Sequence, residues 1–240
     1  MHSTLVRAQT AFGFFTTVAF CVAALIALSG FVSPQTPSAD IKLRNVQVVR
    51  GRPNYYSTKK EEYAHIKFDL DTDLSTLFTW NTKQVFLYIT ATYPSLKPSE
   101  PPSSAIIWDA ILASPSAPWH QNQYEAPGTP DTRKSDPEAQ KAIAAPGILH
   151  LQNQRPKYQI TDYTGKVANR SDVVLELGWN VQPWVGALTW RGWSDWGVWK
   201  GLKGGRTERF GFPGVKERVK VQKEDLGTAK GGEGNRGKPA

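Results

Sequence analysis

The chain has 240 residues, a formal net charge of +8 and a single cysteine, Cys21. One thiol allows no internal disulfide and no thiolate metal cluster. The positive charge is spread along the chain and accompanies no motif known to read nucleic acid, so we expect no nucleic-acid partner.

An uncharged apolar stretch occupies residues 11–32. As a helix rising about 1.5 Å per residue it would be roughly 33 Å long, enough to cross the hydrocarbon core of a bilayer. It is longer than the apolar region of a cleaved signal peptide, and Phe31 and Val32 stand where a cleavage site would need small residues. We predict an uncleaved signal-anchor over 11–32, preceded by a short segment, 1–10, and followed by a linker, 33–40.

The residues give conflicting indications of orientation. Arg7 is the only charged side chain before the span, whereas four basic residues lie between 33 and 52, and positive-inside counting would keep the following domain in the cytosol. Asn169-Arg170-Ser171 is the only N-x-S/T acceptor for glycosylation, and its use would require a luminal domain. Such tripeptides also arise by chance, so these residues leave both orientations open.

Apolar runs after the linker predict β-strands. Residues 64–70 and 173–181 alternate apolar with polar side chains, whereas 83–93 is apolar or β-branched almost throughout and predicts a central strand covered on both faces. Asp73 is placed to cap a short helical turn. We predict a mainly β fold, in which a single N-terminal transmembrane helix is followed by an antiparallel β-sandwich-like domain over 41–215. The predicted strands are 42–49, 64–70, 83–93, 105–112, 157–163 and 173–181.

Two segments lack a strand pattern. Prolines mixed with Gly, Ser and Gln predict a long insertion over about 114–156 that is mostly loop. The Gly-, Lys- and Glu-rich residues 216–240 predict a disordered charged tail.

No local signature predicts catalysis or a bound metal. His65 is out of phase with the apolar residues of its strand, so we expect a surface histidine rather than a general base. The aspartates of 69–73 resemble the start of a calcium loop, but Leu74 and Trp80 stand where an EF-hand needs Gly and Glu. We predict no catalytic residue, no metal site and no cofactor. A hydrolase with a triad assembled from distant residues stays open as a rival.

A run of tryptophans recurs at every third residue late in the chain. The run can pack on the domain's own sheet, form a platform for a partner or the membrane interface, or accept C-mannose on its W-x-x-W units. The sequence leaves these three roles open. The run consists of Trp190, Trp193, Trp196 and Trp199.

Several segments together resemble one protein family. They are the N-terminal anchor, residues 68–93 (FDLDTDLSTLFTWNTKQVFLYITATY), 105–109 (AIIWD), 168–171 (ANRS) and 177–188 (LGWNVQPWVGAL). In these segments the chain resembles signal peptidase complex subunit 3, the 22/23 kDa subunit. The insertion at 114–156 and the tryptophan run look like departures from that family and inherit no role from it.

The resemblance implies a single-pass type II protein of the endoplasmic reticulum membrane, with a cytosolic N-terminus and a luminal domain glycosylated at Asn169. It implies an accessory subunit rather than an enzyme. Such a subunit binds and stabilises the serine-type catalytic subunit, which removes signal peptides from translocated precursors. Other subunits of the complex, the membrane and translocating precursors are the further partners that it implies.

We expect Trp80, Trp108 and Trp179 in the core, because they lie in or beside predicted strands. The alternative function is a membrane-anchored luminal β-sandwich that binds glycans or nascent chains through its Trp-rich segment.

Overall fold

The computed structural model describes residues 3–97, 99–114, 147–191 and 195–216. One helix, α1, is followed by eight strands and a single turn of 3-10 helix (Ser75–Leu77) in the described part of the chain. The elements are α1 (Thr4–Val32), β1 (Ser38–Gly51), β2 (Glu61–Asp73), β3 (Thr82–Tyr93), β4 (Ser103–Ala113), β5 (Ile148–Gln154), β6 (Val174–Pro183), β7 (Thr189–Arg191) and β8 (Lys203–Gly204).

Helix α1 begins at Thr4, before the uncharged stretch, and ends at Val32. None of its 29 residues is buried, and it is long and apolar enough to cross a bilayer. The hydroxyls of Thr10 and Thr17 donate hydrogen bonds to carbonyls one turn back, so they add no unsatisfied polar group to the apolar surface.

The strands form two four-stranded sheets that pack face to face. The first sheet has the order β5-β2-β1-β8 and the second the order β4-β3-β6-β7, and every pair is antiparallel except β1 with β8. Their inner faces share one hydrophobic core, in which the Trp108 ring of β4 meets the Phe68 ring of β2 edge-on at 6.0 Å. The mainly β fold with one N-terminal apolar helix is therefore confirmed.

The segment after β8 closes one side of the sandwich. It leaves β1 and runs beside β6, where Thr207 N–H donates to the Leu175 carbonyl at 3.0 Å and Phe210 pairs with Val173. It then returns to the first sheet, where Val215 bridges to Val48. The chain thus links both sheets by backbone hydrogen bonds.

The alternating patterns correctly predicted which faces of the strands point into the core. The inward residues of β2, β3 and β6 are at most 7 % exposed. Asp73 accepts a hydrogen bond from the Ser75 N–H at the start of the 3-10 turn, but the N-cap position itself is occupied by Leu74. These inward residues are Ala64, Ile66, Phe68, Leu70, Val85, Leu87, Ile89, Ala91, Leu175, Leu177, Trp179 and Val181.

Two strand predictions need correction. The strand predicted over 157–163 is wrong, because only Ile160 there bridges to another strand, at Ala64. The neighbouring strand is β5, which lies inside the segment interpreted as an insertion and pairs with β2 through Leu151 and Leu70. The prediction that β3 is covered on both faces holds only for its inner face, since Phe86 and Tyr88 are half-buried. Residues 115–146 of the insertion, Trp193 and residues 217–240 of the tail lie outside the described residues.

Candidate interaction surfaces

The end of α1 is joined to the sandwich through Trp199. The Phe31 ring stacks on the Trp199 ring at 5.2 Å, and the Trp199 indole N–H donates to the Ser33 carbonyl at 3.0 Å. Gln35 accepts from the Lys200 N–H at 2.8 Å, so the linker pairs with the same segment. Trp199 is only 4 % exposed. These contacts connect the helix firmly to one end of the domain.

A loop between β6 and β7, residues 184–188, lies at this helix-proximal end. The Asn81 amide donates to the Val185 carbonyl at 2.8 Å, and the Val185 N–H donates to the Asn81 side-chain oxygen at 3.1 Å. The Trp184 N–H donates to the Asn81 carbonyl at 2.8 Å. Asn81 is buried. The loop and the turn before β3 are therefore one hydrogen-bonded unit.

Several tryptophans are exposed around this unit. Trp80 is 65 % exposed, Trp184 40 % and Trp196 59 %, while the Lys83 ammonium lies 5.4 Å from the centroid of the Trp184 ring. The expectation that Trp80 lies in the core is wrong, because it occupies the turn before β3 rather than a strand. Trp108 and Trp179, each 1 % exposed, are in the core as predicted.

The outer side of the second sheet carries a cluster of apolar rings. Phe86 stacks on Tyr88 at 5.7 Å, and Tyr88 meets the edge of Trp190 at 6.1 Å. The Tyr88 ring lies over Gly178 of β6, where any β-carbon would overlap the ring. Burial raises the pKa of the Tyr88 hydroxyl above its usual value. Ile111 of β4 is the register partner of Phe86, and Asp109, which pairs with Lys157 at 3.1 Å, is that of Tyr88. We call Phe86, Tyr88, Ile111 and Trp190 the aromatic face.

The outer side of the first sheet is charged instead. Lys42 pairs with Asp40 at 3.0 Å, Arg44 pairs with Asp69, and His150 of β5 lies 3.1 Å from Asp71. The His150–Asp71 contact was not anticipated, because β5 was not predicted as a strand. His65 lies on this side too, half-buried, which agrees with the surface histidine expected from its phase. We call this outer side the charged face.

The glycosylation acceptor lies at the other end of the sandwich. Asn169 is exposed and has a left-handed backbone (φ 57°). It precedes β6, and the rise of an antiparallel strand places it roughly 30 Å from the Pro183 end of β6. The middle residue of the acceptor is buried: Arg170 donates to Asp162 at 2.6 Å and to the Pro94 carbonyl at 3.0 Å.

The described residues were searched for side chains that could bind a metal ion. Within residues 3–97, 99–114, 147–191 and 195–216, no group of three His, Cys, Asp or Glu side chains could hold a metal ion. The three aspartates of 69–73 have separate partners: Asp69 pairs with Arg44, Asp71 with His150, and Asp73 accepts from the Ser75 N–H.

Comparison with known proteins assigns the family. The sequence pattern of the family described as "Signal peptidase subunit" matches residues 1–126 and 141–195. This chain belongs to the signal peptidase subunit family. The match confirms the resemblance seen in the sequence, and it is interrupted only inside the segment interpreted as an insertion. It includes Trp190 and Trp193 and ends before Trp196.

Relatives of this chain named signal peptidase complex subunit 3 occur in eukaryotes from yeasts to Drosophila melanogaster. The chain is 37 % identical to signal peptidase complex subunit 3 of Saccharomyces cerevisiae over 132 residues, which is 55 % of each chain. It is 36 % identical to that of Debaryomyces hansenii over 56 % of each chain. It is 31 % identical to that of Yarrowia lipolytica over 197 residues, 78 % of this chain and 90 % of the relative. The chain thus aligns with little more than half the length of the first two relatives.

Proposed function

We propose that this signal peptidase subunit is a non-catalytic accessory subunit of the signal peptidase complex in the endoplasmic reticulum membrane. It binds and stabilises the catalytic subunit, which removes signal peptides from translocated precursors. The observation that carries the proposal is the aromatic face, a cluster of rings on the outer side of a domain that is joined to a helix able to span the membrane. Membership of the signal peptidase subunit family indicates that the partner belongs to the signal peptidase complex.

The two outer faces of the sandwich differ in the partner they suit. Interfaces concentrate aromatic residues at their centre, as the aromatic face does, and the one ion pair beside Tyr88 in the described part of the chain is that of Asp109 with Lys157. On the charged face, three ion pairs lie near the surface, Lys42 with Asp40, Arg44 with Asp69 and His150 with Asp71. Desolvating such pairs under a partner would oppose binding. We therefore assign the catalytic subunit to the aromatic face.

The position of the aromatic face explains how the subunit would act. β3 carries Phe86 and Tyr88 of that face, and it begins at the helix-proximal end, where Asn81 and Pro183 lie beside α1. A catalytic subunit bound there would be held close to the bilayer surface. Because Trp199 connects the sandwich to α1, the height of the partner above the membrane would be set by this subunit.

Phe86→Ala tests the assignment of the face. An aromatic residue at the centre of an interface contributes about 2 kcal/mol or more, so the variant is expected to bind the catalytic subunit about 30-fold more weakly. The measurement is co-purification of the catalytic subunit with the tagged chain from microsomes. Tyr63→Ala removes a half-buried ring from the outer side of the first sheet and serves as the matched control. Normal recovery with Phe86→Ala, or loss with Tyr63→Ala alone, would contradict the assignment.

We also propose that the sandwich is luminal and that Asn169 carries a glycan. Its exposure and its place in a turn away from α1 support this. The chain from microsomes is expected to migrate faster after endoglycosidase treatment, and Ser171→Ala is expected to remove that difference. Asn153→Gln changes an exposed asparagine outside any acceptor tripeptide and is expected to leave the shift intact. No shift in the unaltered chain would refute glycosylation at Asn169.

The alternative, a binding module that uses the Trp-rich segment, has weaker support. Trp190 and Trp196 are about as exposed as each other, at 60 % and 59 %. Trp190, however, packs on Tyr88 of the aromatic face, whereas Trp199 is buried against the end of α1. The described tryptophans of the run therefore belong to two surfaces rather than to one platform.

A further inference from the structure

We propose that the loop 184–188, together with Trp80, penetrates the interface of the bilayer beside α1. The domain would then contact the lipid surface directly, in addition to being anchored by the helix. This lipid contact lies at the helix-proximal end and does not depend on which face binds the catalytic subunit. We call loop 184–188 and Trp80 the membrane-edge unit.

The depth of the loop follows from its contact with the helix. Gly186 lies so close to α1 that a β-carbon on it would be 3.2 Å from the Ala27 β-carbon. Its φ of +126° also favours glycine. Ala27 is five residues before the end of α1 at Val32, which places the loop about 7.5 Å down the helix from that end.

The position of α1 in the bilayer relates the depth of the loop to the boundary of the hydrocarbon core. Arg7 is the only charged side chain in α1, and Ala27 follows it by twenty residues. Twenty residues of helix span about 30 Å, which is the thickness of the hydrocarbon core. If Arg7 rather than Ala11 marks one boundary of the core, the span is shifted by four residues from the 11–32 predicted from the sequence, and Ala27 and the adjoining Gly186 lie at the other boundary. The loop then reaches the level where headgroups meet acyl chains.

The side chains of the unit suit that level. The loop has the sequence WVGAL, with no charge, and Leu188 is exposed along with Trp184 and Trp80. Indole rings concentrate at membrane interfaces because they are apolar with one polar N–H. Lys83 over the Trp184 ring would place its ammonium near lipid phosphates. An exposed apolar loop at this depth is therefore expected to contact lipid rather than water.

The unit is also preorganised. Asn81 fixes Val185 by two side-chain hydrogen bonds and Trp184 by its carbonyl, so the loop does not have to fold on contact with lipid. The turn that carries Trp80 is held separately, because the Thr82 hydroxyl donates to the Leu77 carbonyl at 2.8 Å. A loop held in this way keeps its depth relative to α1.

A single fluorescent label tests the proposal. In the full chain with Cys21→Ser, Leu188→Cys is labelled with an environment-sensitive fluorophore and reconstituted into phosphatidylcholine vesicles that contain spin-labelled phosphatidylcholine. We expect a blue shift and loss of half or more of the emission to the lipid-borne quencher. Thr58→Cys, in the exposed loop beyond β1, is the matched control. The length of β1 puts it about 44 Å from the linker, so we expect no quenching by lipid there.

Two quenchers and a second label separate contact with lipid from burial within the chain. No other subunit is present in these vesicles, so protection of Leu188→Cys from aqueous iodide can come only from lipid or from the chain itself, and lipid quenching distinguishes the two. Ala187→Cys is expected to behave like Leu188→Cys, and adding Asn81→Ala is expected to reduce the quenching while circular dichroism shows an intact sheet. The proposal is overturned if labels at 187 and 188 are quenched by iodide as strongly as the label at 58 and not by the spin-labelled lipid.

Discussion

Trp108→Ala is expected to lower the free energy of unfolding of the sandwich by about 3–5 kcal/mol. Trp108 is 1 % exposed, and its ring joins the two sheets by its contact with Phe68. Truncation would remove a large apolar surface and leave a cavity that rigid strands on both sides cannot fill. Urea unfolding of the full chain in mild detergent, followed by circular dichroism of the β-strands, measures the loss.

Trp80→Ala is the matched control for this prediction. The same side chain is removed, but from a turn where 65 % of its surface is exposed, so the expected change in unfolding free energy is within about 0.5 kcal/mol. Comparable losses for the two variants would mean that Trp80 contributes as much to folding as a core side chain, and would contradict its exposed place in the turn before β3.

Arg170→Ala is expected to have an effect of similar size, about 3–5 kcal/mol, because it leaves the buried Asp162 carboxylate without its cation. The side chains of Arg170 and Asp162 are almost fully buried and meet at 2.6 Å. The guanidinium also lies 5.3 Å from the centroid of the Tyr93 ring. The variant keeps Asn169 and Ser171, so any change in glycosylation would be secondary to lost stability.

Arg209→Ala provides the contrast. Its pair with Asp172 at 3.4 Å lies at the surface, with both side chains more than half exposed, so it is expected to contribute about 0–1 kcal/mol. Equal losses in urea unfolding for Arg170→Ala and Arg209→Ala would show that the Asp162 pair is not buried.

The same pair predicts a dependence on pH. Burial by itself would raise the pKa of Asp162, but hydrogen bonds from Thr164 and Arg170 outweigh it and hold the pKa below its usual value. The stabilisation is therefore fully present above the unfolded pKa of about 3.9 and is lost as the pH falls through the folded value. In Arg170→Ala the pKa of Asp162 would be higher than in the unaltered chain, because the hydrogen bond and the charge of Arg170 are lost while the bonds from Thr164 remain. The destabilisation caused by this substitution is thus expected to be smaller at pH 4 than at pH 7.

The sequence predicted those parts of the fold that depend on local patterns. Alternation identified the inward residues of β2 and β6, because one buried face requires an apolar residue at every second position. The apolar stretch after residue 11 identified the helix by length and composition. The hydrogen bond of Asp73 at the 3-10 turn could be predicted, because a carboxylate two residues before a turn can accept its first N–H, although the N-cap position itself is Leu74.

The predictions failed where contacts between distant parts of the chain determine the structure. β5 is a short edge strand between prolines, and its seven residues alone do not indicate that it pairs with β2. Trp80 adjoins a strand in sequence, but its turn directs it outward. The contact of Gly186 with Ala27 joins residues far apart in the chain, so the loop beside the helix could not be recognised from the apolar run WVGAL alone.

The central claim, that this chain is an accessory subunit of a protease, is tested most directly by purification of the tagged chain from microsomes in mild detergent. The eluate is assayed for cleavage of a secretory precursor, beside the same chain purified alone. We predict that the eluate cleaves the precursor and contains a separate catalytic subunit, while the chain alone is inactive. An eluate without cleaving activity, or cleavage by the chain alone, would contradict the proposed function.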